Sequence, residues 1–277
     1  MNDTSEDITT EIGGVASTAW WTAAARAREQ LRPDPLFVDP HAAALAGDLG
    51  ERILDRYGRP QPAFGDAGYL SLRTRWYDDV LEENAPRQAV LLGAGLDTRG
   101  HRLHWPAGSV LYELDAPEVL AHKAAGLQAA GAAARCEVRY VAGDLAEAWP
   151  DRLRGAGFDP TVATLWIGEG LLFYLTEDLA GRVLREAAAL SAPGSRLAVD
   201  LIAADRVADP ADGSGFAWRF GTDEPEAFLA QCGWTVDAVH GPEDLARRYG
   251  RWRGGPDPAR RRTHLTTAHR GRAGRPR

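Results

Sequence analysis

Leu91-Leu92-Gly93-Ala94-Gly95-Leu96-Asp97-Thr98-Arg99 is the stretch that decides the fold of this chain. It continues the apolar, strand-length run that begins at Ala89 and puts two glycines where that strand must turn. Glycine accepts backbone angles that other residues avoid and lets a ligand approach the main chain. Further apolar runs follow at about Ser109 to Leu114, Val138 to Ala142, Val162 to Ile167 and Arg196 to Leu201. Helical patterns lie between them, the clearest at Pro117 to Ala130 and Thr176 to Leu190. The second opens Thr176-Glu177-Asp178, with acids in the first turn where they suit the helix dipole. Such alternation specifies a parallel sheet covered on both faces. Thr235 to Val239 and Thr263 to Ala268 are expected as two last strands, one of them antiparallel. The expected fold is α/β, a doubly wound, mostly parallel seven-stranded sheet.

Upstream the pattern is helical. Ser17 or Thr18 caps an alanine-rich helix to about Gln30, which Pro33-Asp34-Pro35 ends. Asp39-Pro40 starts a second, loosened or stopped at Gly47, and a third runs from about Tyr69 to Asn84. Residues 1–86 are therefore read as a helical cap and 87–277 as the α/β core.

Composition narrows the class. A chain of 277 residues can bury a full core, and its Cys136 and Cys232 form no CxxC pair. Neither HExxH nor GxSxG occurs, so no metal site and no serine nucleophile is expected. No long apolar run and no signal sequence stand out, which predicts a cytoplasmic protein without membrane contact. The net charge of −7 conceals a basic tail from Arg247 onward. The acidic body and the lack of any recognition motif argue against nucleic acid, leaving a solvated tail or one paired with the body.

In such sheets ligands bind beyond the carboxyl ends of the strands. The strand ends here carry Gly93-Ala94-Gly95, Glu113-Leu114-Asp115, Gly143-Asp144-Leu145 and Gly168-Glu169-Gly170. The glycine turn alone is weak, because dinucleotide sites share it, although Thr98 replaces their third glycine. Asp115 suits a ribose diol in either kind of site. Asp144 and Glu169 discriminate: more carboxylates would repel a pyrophosphate, whereas S-adenosylmethionine carries a sulfonium and an ammonium and no phosphate. Taken singly, these glycines are ordinary turn residues and Asp97 and Asp115 ordinary caps, whereas Glu169 emerges from a buried strand and needs a partner; their recurrence at successive strand ends weakens the bland reading.

The residues also resemble the leucine carboxyl methyltransferase-like group of class I methyltransferases, over roughly residues 17 to 270. The likeness lies in Ala24-Ala25-Arg26, Arg32-Pro33-Asp34-Pro35-Leu36-Phe37 with Asp39-Pro40, Arg73-Thr74-Arg75 with Asp78-Asp79, and the stretch from Leu91 to Arg99. It continues through Glu113-Leu114-Asp115 with Pro117-Glu118, Gly143-Asp144-Leu145, and Glu169-Gly170-Leu171-Leu172 with Tyr174-Leu175. The resemblance implies that Arg75 holds the cofactor carboxylate, that Gly93 and Gly95 line its methionine moiety and that Asp115 bonds the ribose. It implies too that Asp144 with Leu145 brackets the adenine and that Glu169 meets the α-amino group. The chain departs from the pattern at Gly100-His101, where alanine and tyrosine are common.

Methyl transfer from a sulfonium is an in-line displacement that chiefly needs alignment and exclusion of water. A carboxylate acceptor is already ionised at neutral pH, whereas a phenol would profit from a base. The expected activity is O-methylation of a carboxylate on a small metabolite such as a polyketide or other natural-product acid. A phenol or alcohol acceptor is the alternative, and a nicotinamide-dependent reductase the alternative from another class. Arg73, Arg99, His101 and Tyr174 are the candidates for touching the acceptor, and Trp20-Trp21 belongs either to a cap over it or to core packing.

Overall fold

The structure, a computed structural model, describes residues 17–57, 68–207, 218–254 and 263–271. Three helices open the described chain: α1 (Ser17–Glu29), α2 (Ala42–Tyr57) and α3 (Gly68–Asn84). Gly47, at φ 54°, breaks α2 as its sequence predicts. Strands and helices then alternate as β1 (Gln88–Leu92), the single-turn α4 (Arg99–Arg102), β2 (Val110–Asp115), α5 (Pro117–Ala129), β3 (Glu137–Ala142), α6 (Trp149–Gly155) and β4 (Thr164–Gly168). The chain continues through a 3-10 turn at Leu172–Tyr174, α7 (Glu177–Ala189), β5 (Arg196–Ile202), α8 (Pro225–Gln231), β6 (Trp234–His240), α9 (Pro242–Arg248) and β7 (Thr263–Arg270). Thr176 caps α7, its hydroxyl accepting from the Leu179 amide at 3.3 Å.

All seven strands form one sheet in the order β3-β2-β1-β4-β5-β7-β6. β1 pairs in parallel with both β2 and β4, so the winding reverses at β1. β7 runs antiparallel to both of its neighbours, β5 and β6. The expected mostly parallel sheet is observed, with β7 as its antiparallel member.

Period-two alternation explains why these runs are apolar throughout. Val90 and Leu92 of β1, Trp166 of β4 and Leu197 and Val199 of β5 pack on one face, with Trp149 of α6 and Val183 and Leu184 of α7. Ala89 and Leu91, Leu165 and Ile167, and Ala198 face the other side, against Leu72, Trp76, Tyr77 and Leu81 of α3 and Leu245 of α9. A third cluster joins Trp20, Ala23 and Ala24 of α1 to Leu45 and Ile53 of α2 and to Val119 and Leu127 of α5. Thus α3 covers the sheet, while α1 and α2 pack beside it on α5.

The basic tail is tied to the body where it is described. Arg251, almost fully buried, pairs with Glu29 at the end of α1 and with Asp34. Arg248 and the Tyr249 hydroxyl reach Asp79 of α3 at 3.2 and 2.8 Å. Six of the tail's arginines, Arg260, Arg261, Arg262, Arg272, Arg275 and Arg277, lie outside the described residues, as does the N-terminal stretch to residue 16.

Candidate active site

A cavity of about 670 Å³ opens over the carboxyl ends of β1 to β4, at the reversal point of the sheet, and α1 walls it from outside. Its volume lies in the usual range for small-molecule sites. Gly93 and Gly95 form its floor at φ +66° and +49°. A Cβ on Gly93 would stand 3.0 Å from Leu171 Cδ1, and one on Gly95 would stand 3.3 Å from the Ala19 Cβ of α1. Only backbone fits there, which leaves peptide groups as the surface a ligand meets.

Two carboxylates close the ends of β2 and β4. Asp115 accepts from the Gly95 amide at 2.6 Å and from the Ala116 amide at 2.7 Å. Burial raises its pKa and these two bonds oppose the rise. Each of its oxygens keeps a further lone pair for a ligand hydroxyl. Glu169, with 18% of its side chain exposed, sits between two arginines: Arg73 Nε lies 3.1 Å from one of its oxygens and Arg99 Nη1 2.8 Å from the other. Asp144, exposed, and Leu145, buried, line the cavity at the end of β3.

Behind Glu169 runs a chain of alternating charges. Arg73 continues to Asp200, which is fully buried in β5 and also accepts from the Gly170 amide at 2.6 Å and the Tyr77 hydroxyl at 3.0 Å. Arg99 binds Asp97 and Asp78, and Arg102 binds Asp78 at 2.6 Å. Asp39 then links Arg102 to Arg26 of α1 at 2.8 Å from the latter and takes the Thr98 hydroxyl at 2.7 Å. Arg26 with Asp39, and Asp78, which stood out in the sequence, thus fasten α1 and α3 to the glycine turn and α4, while Arg73 ties α3 to the ends of β4 and β5.

The structure places the sequence candidates unequally. Arg73, Gly93, Gly95, Arg99, Asp115, Asp144, Leu145, Glu169 and Tyr174 all line the cavity. Arg75 does not. Its guanidinium turns to Asp79 at 2.8 Å and to the Leu36 carbonyl at 2.9 Å. Two residues along a helix advance about 200°, so Arg73 and Arg75 cannot share a face. The arginine that faces the site is Arg73. His101 is buried near His41, ring centroids 6.2 Å apart, and neither histidine lines the cavity. The tryptophan pair divides: Trp20 is core and Trp21 is wall. Gly100 is packed so closely that a Cβ would lie 2.8 Å from Val138, which explains the departure from alanine there.

Sequence reasoning missed Asp200, Leu70 and Phe173. A lone acid inside Leu197-Ala198-Val199-Asp200-Leu201 was the available signal, since a buried carboxylate demands a partner.

The residues fit S-adenosylmethionine. Among the described residues six carboxylates line the cavity, including Asp97, Asp115, Asp144 and Glu169, against four arginines. That excess suits a cofactor of net positive charge and opposes a pyrophosphate. The helix after the glycine turn is one turn long and begins beside Thr98, whose hydroxyl is committed to Asp39, so it offers no dinucleotide cradle.

Comparison with known proteins agrees with this geometry. Residues 19–188 match the family described as Leucine carboxyl methyltransferase. A protein of Mycobacterium sp. (strain KMS), named an S-adenosyl-L-methionine-dependent methyltransferase, is 39% identical over 278 residues, covering 91% of this chain and 93% of its own. A like-named protein of Parafrankia sp. (strain EAN1pec) is 45% identical over 195 residues, 68% of this chain and 63% of its own. Among solved structures, the DUF574 family protein of Streptomyces avermitilis MA-4680 shares the fold at a TM-score of 0.60, with 16% identity over 95% of this chain and all of its own.

Proposed function

The chain belongs to the leucine carboxyl methyltransferase family of S-adenosylmethionine-dependent methyltransferases, and we propose that it methylates a carboxylate oxygen of a small metabolite acid to give a methyl ester. In this reading Glu169 receives the cofactor's ammonium, Arg73 its carboxylate, Asp115 the ribose diol, and Leu145 with Asp144 the adenine. When bound, the cofactor supplies an electrophilic methyl group. The chain's own residues align the acceptor with it and exclude water.

The observation that carries the reading is the ionisable lining of the cavity. None of the chain's histidines reaches it. Asp97 is a poor base, because Arg99 offsets its burial and holds its pKa at about 2. A phenol or alcohol must shed a proton to react and finds no histidine to take it, whereas a carboxylic acid arrives ionised. Around the acceptor space, Trp21 of α1, Leu70 of α3, and Phe173 and Tyr174 of the 3-10 turn offer apolar surface to an organic body. Arg99 reaches the cavity with four of its five N–H groups engaged, by Asp78, Asp97, Glu169 and the Thr74 carbonyl, and acts as a fixed part of the wall.

Incubation with methyl-labelled cofactor and a panel of organic acids and phenols tests this. Transfer to acids in a form released by mild base is the expected result. Base-stable label on a phenol or alcohol would replace the carboxylate reading by the hydroxyl one.

A further inference from the structure

Lys123 is the only lysine among 32 basic residues, and it is wholly buried. Its Nζ lies 2.5 Å from Oε2 of Glu113, also wholly buried. Among the described residues neither group has a further hydrogen-bond partner. A lone buried ion pair is rarely more stabilising than apolar side chains of the same size, so stability alone does not account for it.

Its placement does. Glu113 stands two residues before Asp115 on β2 and therefore on the same face. Lys123 comes from α5, whose first residues, Pro117 to Val119, line the cavity. Burial raises Asp115 and the ammonium opposes that rise; at Asp97 it opposes burial together with Arg99, and at His101 of α4 it adds to the lowering that burial causes. Glu118 of α5 opposes it at Asp115. Glu113 is pushed up to about 7 by burial, with Asp97 and Asp115 adding and Lys123 opposing. Cys136 and Tyr140, on the β3 side, are raised by burial, with the Glu113 charge adding to it.

We propose that Lys123 is a positioning residue of the cofactor site: it supplies the buried positive charge against which the Asp115 and Asp97 carboxylates are set, and Glu113 orients it. The proposal rests on the reading that Asp115 takes the ribose diol. As an anion Asp115 accepts two ligand hydroxyls; once protonated it must donate one bond, and affinity falls on the acid side.

The test is calorimetric titration of the full chain with S-adenosylhomocysteine from about pH 4.5 to 8. The pair Glu113→Leu with Lys123→Met removes both charges at similar volume, and its acid limb should move up by about half a pH unit or more. Glu113→Gln keeps the ammonium and, because Glu113 is already protonated below about 7, its limb should stay where it is. A limb that stays put in the double variant, or that moves in Glu113→Gln, would overturn the proposal. Should the double variant not fold, Lys123→Met alone, which faces a protonated Glu113 on that limb, should give the same upward movement, and its absence would overturn the proposal. Asp115→Asn separates the two readings. If it binds like the parent, the ribose role of Asp115 is lost; if it binds weakly while the double variant leaves the limb unmoved, only the role of Lys123 is lost.

Discussion

Arg73 and Glu169, 96 residues apart in sequence, meet at 3.1 Å at the carboxyl end of β4. Arg73 reaches this point from α3 and Glu169 leaves the sheet at it, so a cation and an anion stand side by side on the cavity wall. The α-amino acid end of the cofactor carries the complementary pair of charges.

Arg73→Lys keeps the charge and loses the planar fork. Affinity for S-adenosylhomocysteine should fall roughly tenfold to a hundredfold, about 1.4 to 2.8 kcal/mol. Arg75→Ala removes a partly exposed pair with Asp79 and should leave affinity within about twofold. Calorimetry on the two variants compares them directly, and a larger loss for Arg75 would refute the assignment.

Because no histidine reaches the cavity, turnover of an acid acceptor should be flat from about pH 6 to 9. His101→Asn and His104→Ala should each retain kcat within about twofold. A pH–rate profile showing a basic group that His101→Asn abolishes would contradict this; burial holds that imidazole below the usual histidine range, so such a group would titrate on the acid side.

Asp97 has its pKa lowered to about 2, so its pairing with Arg99 stabilises the folded chain above the ordinary carboxylate pKa of 3.8 and ceases to do so as pH falls through the folded value. Set against burial, the cations around it, Arg99 first and then Lys123, Arg26 and Arg102, together contribute about 2 kcal/mol at neutral pH. Denaturant unfolding of Asp97→Asn should show a deficit of that order at pH 7 that shrinks by about pH 3.

Arg251→Met leaves Glu29 buried at the end of α1 without its nearest charged partner, with the Leu36 amide and the more distant Arg32 remaining. Since Asp34 is largely exposed, the expected cost is about 2 to 3 kcal/mol, toward the low end for a broken buried pair. Thermal unfolding measures it, and faster amide exchange in α1 would locate it.

Most of the fold was legible because β1, β4 and β5 are buried on both faces, and an apolar run of strand length needs no knowledge of its neighbours to be recognised. The site was legible as far as it lies at strand ends: Gly93, Gly95, Asp115, Asp144 and Glu169 follow directly from where each strand stops. Helix-borne residues were harder. Arg73 and Arg75 look alike in sequence, and only the way α3 lies on the sheet decides which one points inward. Asp200 and Lys123 stayed hidden because their importance lies in partners on other elements.

The sequence by itself determined the alternation of strand and helix, the glycine turn and the acids that follow it, since these are local consequences of periodicity and turn chemistry. Tertiary structure decided that Arg73 meets Glu169, that Trp21 and not Trp20 faces the cavity, and that the single lysine is buried against Glu113. The physical reason is that a side chain's direction depends on the rotation of its helix about its own axis, and packing against the sheet sets that rotation.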